Sequence, residues 1–181
     1  VMAGLAAFNR YGADALVGIG GGSALDAAKM IGALATNGGR VQDYAGVDLV
    51  LKRMVPFVAV NTTAGTGSEV SRWAVITDTE GQVKMAIGSE NIVPDVAVDD
   101  SLLTRSVPQS LTAATGMDAL THAIEGYVAL NASDLTDSLA LAGMTLIAKY
   151  LRRAYADGAD AEAREKVMSG QMVAGLAFSN A

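Results

Sequence analysis

The sequence contains no cysteine, and this absence excludes a disulfide framework, a thiolate zinc site and a cysteine nucleophile. Charged residues are also scarce, at 18% of the 181 residues, whereas hydrophobic residues make up 51%. Disordered chains have the opposite composition, being polar and strongly charged. We therefore expect a folded chain with one large domain or two small ones.

The charge balance and the lack of a long apolar run limit the possible partners. A net charge of −6 argues against a general nucleic-acid-binding protein, which needs a basic surface to meet phosphates. The apolar run at 139–148 stops at Lys149, well short of the roughly 20 residues that cross a bilayer. We expect no nucleic acid and no membrane as partner. The lack of cysteine and of a signal peptide predicts a cytoplasmic location.

The two ends of the sequence lack the usual boundary features. The chain begins at Val1 without an initiator methionine and ends at Ala181 without a polar tail. Both ends fall inside segments with the pattern of structured elements. The sequence thus predicts a piece of a longer polypeptide that is truncated at both ends.

Strand and helix patterns alternate in the first half of the chain. Helical spacing at 1–8 ends near Gly12, a glycine C-cap, and a second helix is predicted at 23–34. Short apolar runs typical of buried strands lie at 15–19, 57–60 and 96–98. Two further strands, 73–77 and 83–87, flank a turn at 78–81 that includes Glu80. The alternation favours an α/β layer with a largely parallel sheet.

Only helices are predicted after residue 104. The first covers 111–128, the second is capped by Asn131 or Ser133, and the third is capped by Asp160. Helical spacing places five apolar residues of the second helix on one shared face: Leu135, Leu139, Ala142, Leu146 and Ile147. The expected domains are therefore an α/β domain at 1–106 and the start of a helical domain at 107–181.

A glycine loop, residues 20–23, joins the first strand to the second helix. The glycines let the backbone approach a bulky anion, and the free N–H groups of a helix N-terminus bind it. The dinucleotide fingerprint would require glycine where Ser23 stands. From these residues alone, a phosphate site and a tight structural turn are both open.

A second loop, which we call the threonine loop (residues 61–69), follows the strand at 57–60 and is rich in hydroxyls and small residues. The carboxyl ends of parallel strands share one sheet edge, where open α/β sheets bind ligands. The threonine loop is therefore a candidate for a nucleotide site together with the glycine loop, although an ordinary serine/threonine turn would use the same residues. Lys84 is either a cation for phosphate or ribose, or a solvated surface lysine.

Asp118 and His122, the only histidine of the chain, are four residues apart on a predicted helix. Positions i and i+4 share one helix face, so a carboxylate and an imidazole can converge on Zn²⁺ or Fe²⁺. From spacing alone, an intrahelical hydrogen bond between Asp118 and a core histidine is the favoured interpretation. Glu125 is a candidate to support the pair or a solvated carboxylate.

Three runs together resemble the iron-containing (group III) alcohol dehydrogenases: GGGSALD at 20–26, TTAGTGSE at 62–69 and LTAATGMDALTHAIE at 111–125. The resemblance runs in order along essentially the whole chain. It implies an α/β nucleotide-binding, Rossmann-like domain followed by an all-helical domain, with the active site in the cleft between them. It further implies that an NAD- or NADP-linked enzyme oxidises primary alcohols or reduces aldehydes.

The resemblance also implies roles for individual residues. Gly20, Gly21, Gly22 and Ser23 would hold the pyrophosphate, Thr62, Thr63 and Thr66 would line the adenosine side, and Lys84 would approach ribose and phosphates. Asp118 and His122 would be two of four protein ligands of a divalent metal, usually Fe²⁺ and sometimes Zn²⁺. The metal would lower the pKa of the alcohol so that its alkoxide passes hydride to the nicotinamide.

Two segments of the family pattern have no counterpart in this sequence. In the family, two histidine ligands follow the segment that matches residues 179–180, and an upstream segment helps to select NAD or NADP. We therefore expect the 181 residues alone to have little or no dehydrogenase activity, and we expect the parent enzyme to form a homo-oligomer. The alternatives are a non-catalytic nucleotide-binding module and a related metal enzyme of the glycerol dehydrogenase or dehydroquinate synthase type.

Overall fold

The structure, a computed structural model, describes residues 1–79 and 81–181. Its helices and strands follow the sequence pattern closely. The first part contains α1 (Met2–Tyr11), β1 (Leu16–Gly20), α2 (Gly22–Asn37), β2 (Gly46–Val47), β3 (Phe57–Asn61), β4 (Trp73–Asp78), β5 (Val83–Gly88) and β6 (Val96–Asp99). The second part contains α3 (Gln109–Val128), α4 (Asp134–Ala156) and α5 (Ala161–Asn180). The expected α/β fold followed by helices is confirmed, and the domain boundary at 106/107 stays a prediction.

Three parallel strands form the main sheet, in the order β1-β3-β6. Helix α2 covers one face, since a Cβ on Gly18 would lie 2.9 Å from the Phe57 ring and 3.2 Å from Ala28 of the helix. Side chains alternate along a strand, so Val17 and Ile19 point away from α2, and both are about two-thirds exposed. The connection from β1 to β3 through α2 places both strand ends, and the loops that follow them, at one edge of the sheet.

A second, smaller sheet has the order β2-β5-β4. Strands β4 and β5 are antiparallel and pair from Trp73 with Gly88 to Asp78 with Val83. This confirms the expected hairpin, although Glu80 in its turn lies outside the described residues. The sequence predicted one α/β layer. The structure instead separates the hairpin from the parallel sheet, because β5 pairs with β2 rather than with β6.

The core of the first part lies between α2 and the two sheets. Its fully buried side chains include Leu25, Met30, Phe57, Ile87 and Ile92. Gly12 ends α1 in the left-handed conformation that glycine adopts without strain. Within the described residues, no helix is both long and apolar enough to cross a membrane.

Helices α3, α4 and α5 pack against one another through small residues. Ser133 caps α4 by accepting a hydrogen bond from the Thr136 N–H at 3.3 Å, and Asp160 caps α5 by accepting one from Ala163. A Cβ on Gly143 of α4 would lie 3.1 Å from the Gly170 carbonyl oxygen of α5. The two helices therefore meet almost backbone to backbone.

The apolar face predicted for α4 coincides only in part with its buried face, since Leu139 and Leu146 are half-buried. Leu135 is 69% exposed, and of the five apolar residues only Ile147 is buried. The buried face consists of Thr136, Ala140, Gly143, Ile147, Tyr150 and Ala154. Close helix packing selects the stripe of small residues for the interface, and hydrophobicity alone does not reveal that preference.

Candidate functional site

A cleft of about 500 Å³ opens between the glycine loop, the hairpin and α3. Its walls come from both parts of the chain. The lining residues are Gly22, Ser23, Asp26, Thr66, Ser68, Ser71, Trp73, Val75, Thr77, Lys84, Ala86, Asp118, His122 and Phe178. Six of the ten residues expected at a site are therefore collected in one cavity.

The glycine loop delivers the N-terminus of α2 to this cleft. Gly21 caps the helix without a side chain, and Gly22 and Ser23 are its first two residues. Gly20 has a φ of 152°, and a Cβ there would lie 2.7 Å from that of Ala24. The loop therefore requires glycine and leaves backbone N–H groups and the positive end of the helix dipole for an anion.

The threonine loop packs directly on the glycine loop. A Cβ on Gly21 would lie 2.8 Å from Thr63 Oγ1, and a Cβ on Gly22 would lie 2.6 Å from Thr66 Cγ2. Thr62 N–H donates to the Gly20 carbonyl at 3.1 Å. Thr66 lines the cleft with Gly22. The cleft lining does not include the other expected residues of the two loops, Gly20, Gly21, Thr62 and Thr63.

Lys84 projects from the hairpin to the same cleft. It lies on β5 opposite Thr77 of β4, and both residues line the cavity. The lysine is exposed. Lys84 therefore places a cation in the same cleft as the N-terminus of α2. This arrangement suits a phosphate-bearing ligand.

Asp118 and His122 lie on α3 and line the same cleft. His122 Nε2 is 4.0 Å from Asp118 Oδ1, too far for the intrahelical hydrogen bond that the spacing also allowed. His122 Nδ1 is buried and has no hydrogen-bond partner among the described residues. The carboxylate and the imidazole are thus side by side without a hydrogen bond between them. Both are donor types that suit Fe²⁺ or Zn²⁺.

The pair does not make a complete metal site. Across residues 1–79 and 81–181, no group of three His, Cys, Asp or Glu residues could hold a metal. Glu125, the candidate supporting residue, is exposed and is not part of the cleft lining. The residues present fit a divalent ion as two of its ligands.

Asp26 is a cleft residue that the sequence argument did not select. Its Oδ1 accepts a hydrogen bond from Ser68 Oγ at 2.6 Å, and its Oδ2 accepts one from Val75 N–H at 3.0 Å. Burial raises the pKa of Asp26. Asp26 lies three residues after Ser23, about one helical turn, so helical spacing alone could have indicated that both side chains lie on the same face of α2.

Lys29 is fully buried behind Asp26 and was also missed. Its Nζ donates to the carbonyl oxygens of Ser71 and Trp73, both at 2.8 Å. Burial lowers the pKa of Lys29 to about 8, although the charges of Asp26 and Glu69 oppose that shift. The lysine therefore ties α2 to the segment that leads from the threonine loop into β4.

Glu69, which is buried, and Asp99, which is half-buried, are two neighbouring carboxylates at the sheet edge. Burial and the Asp99 carboxylate raise the pKa of Glu69 to about 7, and burial raises the pKa of Asp99. Glu69 Oε1 accepts from Gln171 Nε2 at 2.8 Å, and Asp99 Oδ1 accepts from Asn61 Nδ2 at 3.1 Å. The second oxygen of each carboxylate has no partner among the described residues.

Phe178 of α5 completes the cleft beside the metal-ligand candidates. Its ring centroid lies 4.8 Å from that of His122. The contact restricts the orientation of the imidazole, and it closes the apolar side of the cavity. Sequence reasoning missed Phe178 because helical spacing alone does not indicate which cleft a helix end meets.

Comparison with known proteins agrees with this geometry. Residues 1–101 match the model of the family described as iron-containing alcohol dehydrogenase, and residues 112–181 match its C-terminal family model. The NAD-dependent methanol dehydrogenase of Bacillus methanolicus is 53% identical over 177 residues, which are 98% of this chain and 46% of that protein.

Solved structures give the same result. A 1,3-propanediol oxidoreductase crystal structure matches with a TM-score of 0.95 and 47% identity, covering 99% of this chain and 47% of that one. The sulfoacetaldehyde reductase of Bifidobacterium kashiwanohense, solved in complex with NAD⁺, matches with a TM-score of 0.89 and 38% identity, covering 98% and 48%. The chain spans about half the length of the relatives it matches. It belongs to the iron-containing alcohol dehydrogenase family.

Proposed function

We propose that these residues form the nucleotide-binding and part of the metal-binding core of an NAD(P)-linked, metal-dependent alcohol dehydrogenase. The observation that carries the proposal is the shared cleft, where Gly22, Ser23, Thr66 and Lys84 lie opposite Asp118 and His122. A nucleotide held by the first group would place its reactive end toward the second. The substrate would be a small primary alcohol or the matching aldehyde.

The nucleotide role rests on the two loops. The glycine loop and the α2 N-terminus would hold the pyrophosphate through backbone N–H groups. The threonine loop would meet the adenosine side through Thr66, which lines the cleft, while Thr62 and Thr63 would support it by packing on the glycine loop. Lys84 would meet phosphate or ribose oxygens. Two relatives, the NAD-dependent methanol dehydrogenase and the sulfoacetaldehyde reductase solved with NAD⁺, support NAD as the cofactor.

The metal role rests on the α3 pair. Asp118 and His122 would hold Fe²⁺, as the family name indicates, or Zn²⁺. When bound, such an ion supplies a Lewis acid for the alcohol oxygen, and the nicotinamide takes up the hydride. Phe178 keeps the His122 ring in place. The homo-oligomeric state and the cytoplasmic location stay predictions.

Binding experiments on the chain test this proposal. Trp73, the single tryptophan, lines the cleft, so its fluorescence should be quenched when NADH or NADPH binds. Zn²⁺ binding is measured separately by calorimetry in wild type and in Asp118→Ala. We expect nucleotide binding in both proteins and loss of Zn²⁺ binding in the variant. Failure of both nucleotides to bind, or unchanged Zn²⁺ binding in the variant, would contradict the corresponding half of the proposal.

A further inference from the structure

The threonine loop is held from two sides. On one side Thr63 and Thr66 lie against Gly21 and Gly22, as described above. On the other side lies α5, the last helix of the chain. The loop is therefore the layer between the proposed nucleotide site and the helical part.

One side chain of α5 makes both polar contacts to the centre of this loop. Gln171 Oε1 accepts a hydrogen bond from Gly67 N–H at 3.1 Å, and Gln171 Nε2 donates to Glu69 Oε1 at 2.8 Å. Gln171 and Glu69 are 0% and 1% exposed. These hydrogen bonds are formed without competition from water, and neither bond is replaced by solvent if its partner is removed.

The backbones of the threonine loop and α5 are closely packed around this contact. Gly67 has a φ of 63°, and a Cβ there would lie 2.8 Å from the Gly175 Cα of α5. Farther along, Arg72 N–H donates to Ser179 Oγ at 3.0 Å. Helix α5 thus touches the segment from Gly67 to Arg72 at three successive points, and the contact with Gln171 is the one next to Thr66.

A glutamine is the side chain that this position requires. Its amide accepts from a backbone N–H and donates to a carboxylate at the same time, and it adds no charge to a site that already holds Glu69 and Asp99. An apolar residue would leave the Gly67 N–H unpaired. A glutamate would keep the acceptor but lose the donor and add repulsion against Glu69.

We propose that Gln171 is a positioning residue for the nucleotide site: it fixes the threonine loop, and through Thr66 the wall of the cleft, from the helical part of the chain. This inference rests on the nucleotide role proposed above. The loop conformation that binds the nucleotide is preorganised by a side chain more than 100 residues away in the sequence.

Two variants and their combination test the proposal. Gln171→Glu removes the donor to Glu69. The double variant Gln171→Glu with Glu69→Gln restores it, since the new amide at position 69 donates to the new carboxylate at position 171. Ile147→Val, a buried substitution on α4 that leaves both Gln171 hydrogen bonds in place, serves as a control for general destabilisation. NADH affinity is measured by Trp73 fluorescence, and protection of the Gly67 amide by hydrogen exchange without nucleotide.

We expect Gln171→Glu to bind NADH roughly tenfold more weakly, the equivalent of one lost hydrogen bond. The Gly67 amide should lose protection in that variant. The double variant should recover both properties, and Ile147→Val should retain both.

Unchanged NADH affinity in Gln171→Glu, or no recovery in the double variant, would overturn the positioning role while the nucleotide site stands. A wild-type chain that binds no NADH would instead refute the proposed function. In that case the hydrogen-exchange comparison still decides whether Gln171 fixes the loop.

Discussion

At the scale of single residues, buried ionisable groups surround the proposed nucleotide site. Asp26, Lys29 and Glu69 are each less than one-tenth exposed. Burial raises the pKa of the two carboxyl groups and lowers that of the lysine, so it favours the neutral form of each. Asp26 accepts hydrogen bonds from Ser68 of the threonine loop and Val75 of β4. Lys29 donates to the Ser71 and Trp73 carbonyl oxygens, and Glu69 accepts from Gln171 of α5. The cost of burying these charges is thus offset by contacts that fix the shape of the cleft wall.

Glu69 predicts a distinct pH dependence of stability. Its pKa in the fold, about 7, is above its ordinary value of 4.5, so the folded chain binds the proton more tightly than the unfolded chain. Its contribution to the free energy of unfolding is complete below about pH 4.5 and is lost as the pH rises to about 7. Over that range the loss amounts to roughly 3 kcal/mol at most.

The measurement is urea unfolding of wild type and Glu69→Gln at several pH values. The variant should match wild type near pH 4.5 and be more stable than wild type at pH 8. Lys29, with a pKa of about 8, stays charged across most of this window, and Asp26 and Asp99 titrate in both proteins. A constant difference between the two proteins at all pH values would show that Glu69 does not titrate in this range.

Gly22 gives a second prediction at this scale. A Cβ there would lie 2.6 Å from Thr66 Cγ2, and Thr66 is exposed and able to move into the cleft. Gly22→Ala should therefore weaken NADH binding at least about tenfold. It should lower the free energy of unfolding by no more than about 1 kcal/mol, since alanine favours the first turn of a helix. Isothermal calorimetry and urea unfolding separate the two effects, and an unaltered affinity would exclude this glycine from the binding surface.

At the scale of secondary-structure elements, caps and small residues explain more than hydrophobic spacing does. The glycine C-cap of α1 and the caps Ser133 and Asp160 were all predicted and are confirmed. The buried face of α4 follows the predicted apolar face only in part, because its contact with α5 selects Ala140 and Gly143 over the larger Leu135. Local hydrogen bonding defines where a helix begins, whereas its partner defines which face is buried.

The Ser133 cap predicts a stability loss on substitution. Ser133 accepts from the Thr136 N–H, and the Thr136 hydroxyl oxygen accepts in turn from the Ser133 N–H at 2.7 Å. Ser133→Ala should lower the free energy of unfolding by about 1 kcal/mol. Ser138→Ala is the matched control on the same helix, since its hydroxyl only donates to the Asp134 carbonyl within α4. Equal effects of both substitutions in urea unfolding would argue against the cap.

At the scale of the whole molecule, the cleft is a joint product of the α/β and helical parts. Neither the loops at the sheet edge nor the α3 pair encloses a cavity alone. Asp118 and His122 supply two metal ligands, and the described residues supply no third one. Structural and catalytic zinc sites use at least three protein ligands.

The chain by itself should therefore have very low dehydrogenase activity. We expect no detectable aldehyde-dependent oxidation of NADH by the 181 residues, with or without added Fe²⁺, although NADH binds. The assay follows nicotinamide absorbance, and a sample with metal and without aldehyde controls for background oxidation. Turnover that requires both metal and aldehyde would contradict the prediction. It would also mean that two protein ligands are enough to hold the ion in a catalytically competent position.

The sequence by itself determined the order of the helices and strands, the glycine loop at the start of α2 and the i, i+4 pair on α3. These features depend on spacing, capping and backbone freedom within a few residues. The resemblance to a family then named the candidate site residues, six of which line one cleft.

Only the tertiary structure decided which of these groups meet. It placed Asp26 and Phe178 in the cleft and left Glu125 outside, and it joined Gln171 to Gly67 across 104 positions. It also separated the hairpin from the parallel sheet. The physical reason is that local patterns fix only the conformation of each segment, whereas these contacts depend on how closely the backbones of distant segments approach one another.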